Sequence, residues 1–179
     1  MARPRSIPDS EIFVAVRRLL GQHGDRGVSF ASVAQASGLS APSLAQRYGS
    51  RSRMIVDALA AGWQDLSETT EQADAAAAPS AKGAAAFLKA IEASSDDLGR
   101  DMLVLISGFR DPALQTRAAA WQRAVVTGLA MRLGKGGSPD VDAGESMFAM
   151  WQGRLIWSAV SAPGFKMKRV MRRVAAHRR

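Results

Sequence analysis

The sequence predicts an all-α protein. Three observations carry that expectation. Apolar residues recur at three- and four-residue intervals along most of the 179-residue chain. Ser, Asp, Gly and Pro stand where those runs begin and end. No segment alternates apolar with polar residues between turn signals, as a half-buried strand would. About nine helices are expected, with a helix-turn-helix head in residues 1–62 and a second helical domain in residues 63–179.

The head opens on residues 1–8, where Arg3, Pro4, Arg5 and Pro8 forbid an early helix and leave a basic arm. Asp9 or Ser10 caps a helix to about Gly21. Its core stripe is Ile12, Phe13, Val16, Leu19 and Leu20, with Arg17 and Arg18 outward. Gly21, Gly24 and Gly27 then break the chain, and His23 among them reads as a solvated loop residue. Ser29 caps a short helix from Phe30 to Ala36, with Val33 and Ala34 inward. Gly38 suits a turn that needs positive φ. Ser40 caps a second short helix, Ala41 to Tyr48, with Pro42 tolerated in its first turn and Leu44 inward. Gly49 stops it, and Ser50 caps a long helix through Met54, Ile55, Ala58, Leu59, Trp63 and Leu66. Two short helices joined by a three- to four-residue turn make a helix-turn-helix, although an ordinary helical hairpin fits the same spacing.

Beyond the head, the alanine-rich residues 73–86 are interrupted by Pro79 and read as a helix end, a loop and a helix start. A helix follows to about Ala93, with Phe87, Leu88 and Ile91 inward, then another from Leu98 to Phe109. Asp111-Pro112 is a cap followed by proline at the first helical position, and opens a long helix to about Leu133. The loop Gly134 to Ser138 lacks the spacing of a phosphate-binding loop and follows no strand, so it is not a nucleotide site. Ser138-Pro139 opens a helix to about Ser161. Its apolar residues Met147, Phe148, Met150, Trp151, Leu155, Ile156, Trp157 and Val160 lie all round it. Burial on more than one side is implied, and the small pair Ala149 and Gly153 lets another helix approach closely. A subunit interface of a homodimer, formed by Ala149, Gly153, Leu155 and Trp157, accounts for that pattern. Phe165 to Arg179 form a final basic helix or tail.

The net charge of +8 is unevenly placed: +4 over residues 1–62, −3 over 63–163 and +7 over 164–179. Basic ends around a mildly acidic middle suit a polyanion, most simply nucleic acid. For the tail alone, a solubilising end explains the charge equally well. There is no cysteine, hence no disulfide framework or thiolate metal site, and no apolar run long enough for a membrane span or signal peptide. A cytoplasmic protein is expected. The two histidines are far apart, and neither HExxH nor GxSxG occurs. Asp96, Asp97 and Asp101 stand at a helix start, where capping explains them. Neither an enzyme, a metal site nor a cofactor is expected.

The stretch Val28 to Trp63 resembles the DNA-binding domain of TetR-family transcriptional regulators. Ser29 stands at the family's Thr/Ser cap, Val33-Ala34 at its Ile-Ala, and Ala36-Ser37-Gly38-Leu39-Ser40 at its Ala-x-Gly-Val-Ser. Tyr48-Gly49-Ser50-Arg51 stands at Phe-x-x-Lys, and Met54 at Leu. Ala45 departs from the pattern, replacing a Tyr that often touches phosphate in the family. The match covers roughly residues 10 to 63. The resemblance implies that the first three helices read double-stranded operator DNA, the middle helices enclose a ligand, and the last two pair with a second subunit.

A recognition helix in the major groove places its N-terminal residues near base edges. Ser40 caps that helix; Ser43, Gln46 and Arg47 can hydrogen-bond to bases, and Ala41 and Pro42 can meet a thymine methyl. Ser29, Tyr48 and Arg51 are expected at phosphates. Methionine and aromatic side chains concentrate at Met102, Phe109, Trp121, Met147, Trp151 and Trp157. Met102, Phe109, Trp121, Met147 and Trp151 suit an apolar or aromatic small-molecule effector, although the same residues serve equally as ordinary core. Trp63 and Leu66 on the linking helix would sense that ligand. The expected function is a homodimeric, ligand-responsive repressor on a pseudo-palindromic operator. The alternatives are the same fold controlled by a protein partner, or an all-α interaction module that has lost DNA binding.

Overall fold

The computed structural model describes residues 7–158, which form eight α-helices and one short 3-10 turn. In chain order these are α1 (Asp9–His23), α2 (Phe30–Ser37), α3 (Ala41–Tyr48), α4 (Arg51–Ala76), α5 (Ala81–Glu92), α6 (Leu98–Ile106), α7 (Pro112–Leu133) and α8 (Val141–Ser158), with the 3-10 turn at Asp25–Gly27. The all-α expectation holds across the described residues. The basic arm, the final basic segment and the expected ninth helix lie outside them.

The described residues fall into two compact units, one within residues 1–65 and 103–118, the other within 66–102 and 119–179. The expected division lies after residue 62 and the first break after residue 65. The first unit, however, also takes in the end of α6 and the start of α7. Close packing explains why: a Cβ at Gly62 would stand 2.6 Å from Leu105 Cδ2, and one at Gly108 2.6 Å from Leu114 and 2.7 Å from Leu59. Side chains there interlock with α4 instead of leaving with the second domain.

In the first unit α1 buries Ile12, Ala15, Val16 and Leu20. The helix continues past Gly21 to His23, and stops where Gly24 takes φ 66 and donates its N–H to Leu20. Pro8, not Asp9 or Ser10, occupies the cap position, without a side-chain bond. Arg17 is not solvated as expected. Its Nη1 donates to the Ala58 carbonyl at 3.0 Å and its Nη2 pairs with Asp65 at 2.9 Å, tying α1 along α4. On α4, Met54, Ile55, Ala58, Leu59 and Trp63 point inward.

The second unit is built on Phe87, Leu88 and Ile91 of α5, Trp121, Val125 and Leu129 of α7, and Met147, Phe148, Trp151 and Leu155 of α8. Each such burial stabilises by about 1.5–3 kcal/mol. Gly144 lets α8 approach α7, since a Cβ there would be 2.8 Å from the Val126 carbonyl oxygen. Two boundaries differ from expectation. α6 ends at Ile106, where Ser107 closes a turn onto Leu103 and Val104. α8 begins at Val141 because Asp140, not Ser138, accepts the Ala143 N–H.

One polar group holds this unit together from inside. Arg132 of α7, only 8% exposed, pairs with Asp74 at 2.6 Å. It also donates to the carbonyls of Asp74, Ala77 and Gly128, and lies 4.9 Å above the Phe87 ring. A buried cation thus satisfies orphan carbonyls at the end of α4, the role of a remote C-cap. Arg132→Met keeps the volume and strands those acceptors, so it is expected to destabilise the protein by about 1–3 kcal/mol, read as a lower urea midpoint at unchanged m-value.

Candidate nucleic-acid interface

The helix-turn-helix is held by caps at every end. Ser29 Oγ accepts the Ser32 N–H at 3.0 Å, while Ser32 Oγ accepts the Ser29 N–H at 2.8 Å, a reciprocal capping box. The Ser32 hydroxyl donates on to the Gly27 carbonyl, so the box also fixes the entering chain. Gly38, at φ 78, closes α2 by donating to the Ala34 carbonyl at 2.9 Å, a left-handed position that costs other residues strain. Ser40 then caps α3, accepting the Ser43 N–H at 3.2 Å and sharing a hydrogen bond with the Ser43 hydroxyl at 2.7 Å.

Eight residues of α3 leave two clear faces. Leu44 and Tyr48 are buried. Pro42, Ser43, Gln46 and Arg47 are exposed, with Ala41 and Ala45 half-buried at the edges. The polar edge expected to meet base pairs is therefore presented on one side of an anchored helix. Its donors and acceptors are a hydroxyl, an amide and a guanidinium.

Three residues expected at phosphates are otherwise engaged. Ser29 closes the capping box. The Tyr48 hydroxyl donates to Asp9 of α1, and the ring lies 5.9 Å from Phe13. Arg51 Nε donates to the Val28 carbonyl at 2.5 Å, Nη2 donates to the Asp25 carbonyl, and the guanidinium pairs with the Asp25 carboxylate at 2.9 Å. Arg51 thus ties the start of α4 to the turn before α2. The cause lies in reach: a side chain at the first residue of α4 meets the carbonyls of Asp25 and Val28, at the start of the 3-10 turn and just past its end. Asp9 and Ser32 escaped the sequence reading as partners. Ser29-x-x-Ser32 offered a weak signal for the capping box; Asp9 offered none beyond a position near a helix start.

The residues expected around an effector fall into two groups. Trp63 stacks on Phe109 in the first unit, with ring centroids 6.1 Å apart. In the second unit Trp121, Phe148 and Trp151 form a triad at 5.8–6.3 Å, with Leu66, Met102 and Met147 buried as well. Trp121 Nε1 donates to Thr70 Oγ1 at 2.9 Å, and Trp151 Nε1 to Glu92 at 2.6 Å. Arg154 also pairs with Glu92. Thr70 and Glu92 were not singled out in the sequence, and Phe148 was read only as an apolar residue of the last long helix.

Of the residues expected at a subunit interface, Ala149 and Trp157 are exposed, and a Cβ at Gly153 would meet nothing within 4 Å. Leu155 differs. It is buried inside its own unit, and Gly99 lies close to its backbone carbonyl. Among the described residues no group of three or more His, Asp or Glu is placed to hold a metal. No described helix is long and apolar enough to cross a membrane.

Tyr48 is pushed well above its ordinary value of 10.0, by burial first, then by its bond to Asp9 and that carboxylate's charge. The neutral phenol is the form the fold prefers. Its contribution is complete below about pH 10 and is lost as pH rises beyond it. Tyr48→Phe is expected to cost about 0.5–1.5 kcal/mol at neutral pH and to flatten the fall in stability above pH 10, measured by urea unfolding from pH 7 upward.

No protein-family model matches the chain, and no curated protein matches it either. Solved structures do share its fold. The multidrug binding protein EbrR complexed with malachite green superposes with a TM-score of 0.68 at 18% identity, over 91% of this chain and 93% of that one. The TetR-family regulator PfmR from Thermus thermophilus gives 0.65 at 18% identity, over 91% and 93%. A TetR-family member from Streptomyces coelicolor A3 gives 0.65 at 20%, over 90% and 93%. The helix order, the capped helix-turn-helix and these superpositions together give the chain the fold of TetR-family transcriptional regulators.

Proposed function

We propose that the protein is a sequence-specific DNA-binding transcriptional regulator that acts as a homodimer. The observation that carries this reading is the exposed edge of α3. Ser43, Gln46 and Arg47 project from a helix whose other face is locked by Leu44 and Tyr48. Gln matches adenine and Arg matches guanine by paired hydrogen bonds. Backbone N–H groups at the starts of α2 and α3 supply phosphate contacts without needing Tyr48 or Arg51. Two copies joined through the open face of α8, at Ala149, Gly153 and Trp157, would read the half-sites of a pseudo-palindromic operator.

The aromatic triad of the second unit supports response to an apolar or aromatic effector. That one structural neighbour is a multidrug binding protein complexed with malachite green favours the same reading. The ligand would favour the arrangement with the wrong spacing between recognition helices, which requires different affinity for the two arrangements. Repression is the simplest outcome of such release.

Arg47→Ala is expected to relax base preference at one position, losing about 1–3 kcal/mol of discrimination there, measured by selection from a randomised duplex pool. Arg51→Ala is expected to act through the fold, lowering the urea midpoint together with DNA affinity. Gly153→Leu should overpack the dimer contact at a cost of about 1–3 kcal/mol, seen as dissociation during sedimentation. A wild-type protein that sediments as a monomer at micromolar concentration overturns the dimer.

A further inference from the structure

Asp9 makes contacts that no helix-capping role requires. It stands in the first turn of α1, where the helix dipole favours a carboxylate. The same oxygen that accepts the Tyr48 hydroxyl also pairs with Arg47 Nε at 2.9 Å. Arg47 Nη1 donates to the Ile7 carbonyl at 2.9 Å, and its guanidinium carbon lies 5.9 Å from the centre of the Tyr48 ring. Arg47 is the only arginine of α3. The one cation on the helix that would enter the groove is therefore paired with α1, and two of its three guanidinium nitrogens are already engaged.

This inference rests on the DNA-binding reading above and deepens it. We propose that Asp9 is a specificity-determining residue that withholds Arg47 from phosphates and yields it only to a guanine edge. Sequence-independent binding grows with each cation that displaces counterions from phosphates. A cation already paired contributes less, because its pair must be broken first. A lone phosphate returns one charged contact, about what Asp9 already supplies. A guanine returns two parallel acceptors, N7 and O6, in the geometry of the fork. Asp9 thus subtracts from every site, and only the cognate site restores the difference. The pair is half-exposed, with side chains 34% and 50% accessible, so it is weak enough to be displaced.

The test uses the full chain with two duplexes of about 30 base pairs. One is recovered by the wild type from a random pool; the other is the unselected pool itself. Anisotropy titrations run from roughly 50 to 200 mM salt. Asp9→Asn removes the charge while its amide oxygen still accepts from Tyr48. It is expected to tighten the unselected pool by about 3- to 5-fold, steepen its salt slope by about one unit, and leave the selected duplex nearly unchanged. Asp9→Glu should restore the wild-type ratio. In an Arg47→Ala background Asp9→Asn should have no further effect. Equal tightening on both duplexes in both backgrounds would show simple long-range charge and overturn the proposal. Weaker binding to both, with a lowered unfolding midpoint, would show a purely structural role and overturn it too. If the wild type binds DNA and Asp9→Asn changes nothing, only this inference falls. If the wild type shows no salt-dependent affinity for either duplex, the DNA-binding reading falls with it.

Discussion

An eight-residue helix does not hold itself together in water. Nucleation costs more than so few hydrogen bonds return, and isolated helices shorter than about 12–15 residues are marginal. α2 and α3 are both of that length, and the candidate DNA edge depends on their staying formed. Burial of Val33, Leu44 and Tyr48 supplies what the backbone cannot. Serine and glycine caps close some of the open donors and acceptors at their ends. The rest of the first unit serves this constraint. α1 gives Ile12, Val16 and Leu20 to the shared core, and α4 gives Met54 and Leu59. The Asp9–Tyr48 bond and the Arg51 bonds join the short helices to their long neighbours.

Arginine does much of the fastening throughout the chain. Arg17 binds α4 from α1, Arg51 binds the turn before α2, and Arg132 caps the end of α4 from α7. Each uses the planar fork to satisfy backbone carbonyls as well as a carboxylate. A lysine supplies one point charge and fits none of these three sites. The same economy constrains the candidate site. A basic head is not a head full of available cations, since Arg17, Arg47, Arg51 and Arg53 all sit in ion pairs.

The helices and caps were legible in the sequence because their causes are local. Ser29, Gly38, Ser40 and Pro112 act within a turn of their own positions, and all four stand where the pattern puts them. Leu44 was readable as the inward residue of α3 for the same reason. What failed to show was long-range pairing. Arg17 reads as solvated on its own helix wheel, yet its partners lie 41 and 48 residues away. Tyr48 and Arg51 were expected at phosphates from their place in the helix-turn-helix pattern; their protein partners, on α1 and around the turn before α2, lie 39 and 23–26 residues away. Leu155 is a different case. An apolar residue on a helix that is apolar all round carries no label saying whether its own unit or a second subunit covers it, and here its own unit buries it.

The four tryptophans occupy unlike surroundings, and that has a spectroscopic consequence. Trp63 is 2% exposed and stacked on Phe109, whereas Trp157 is 66% exposed. Trp121 and Trp151 lie 6.3 Å apart, close enough for their excited states to couple in the near-ultraviolet. Emission from the first will be blue and from the second red, while the coupled pair gives a dichroic signature that vanishes once its spacing is lost. The chain therefore carries separate optical reporters for its two units and for the surface of α8, and needs no added label to follow each of them.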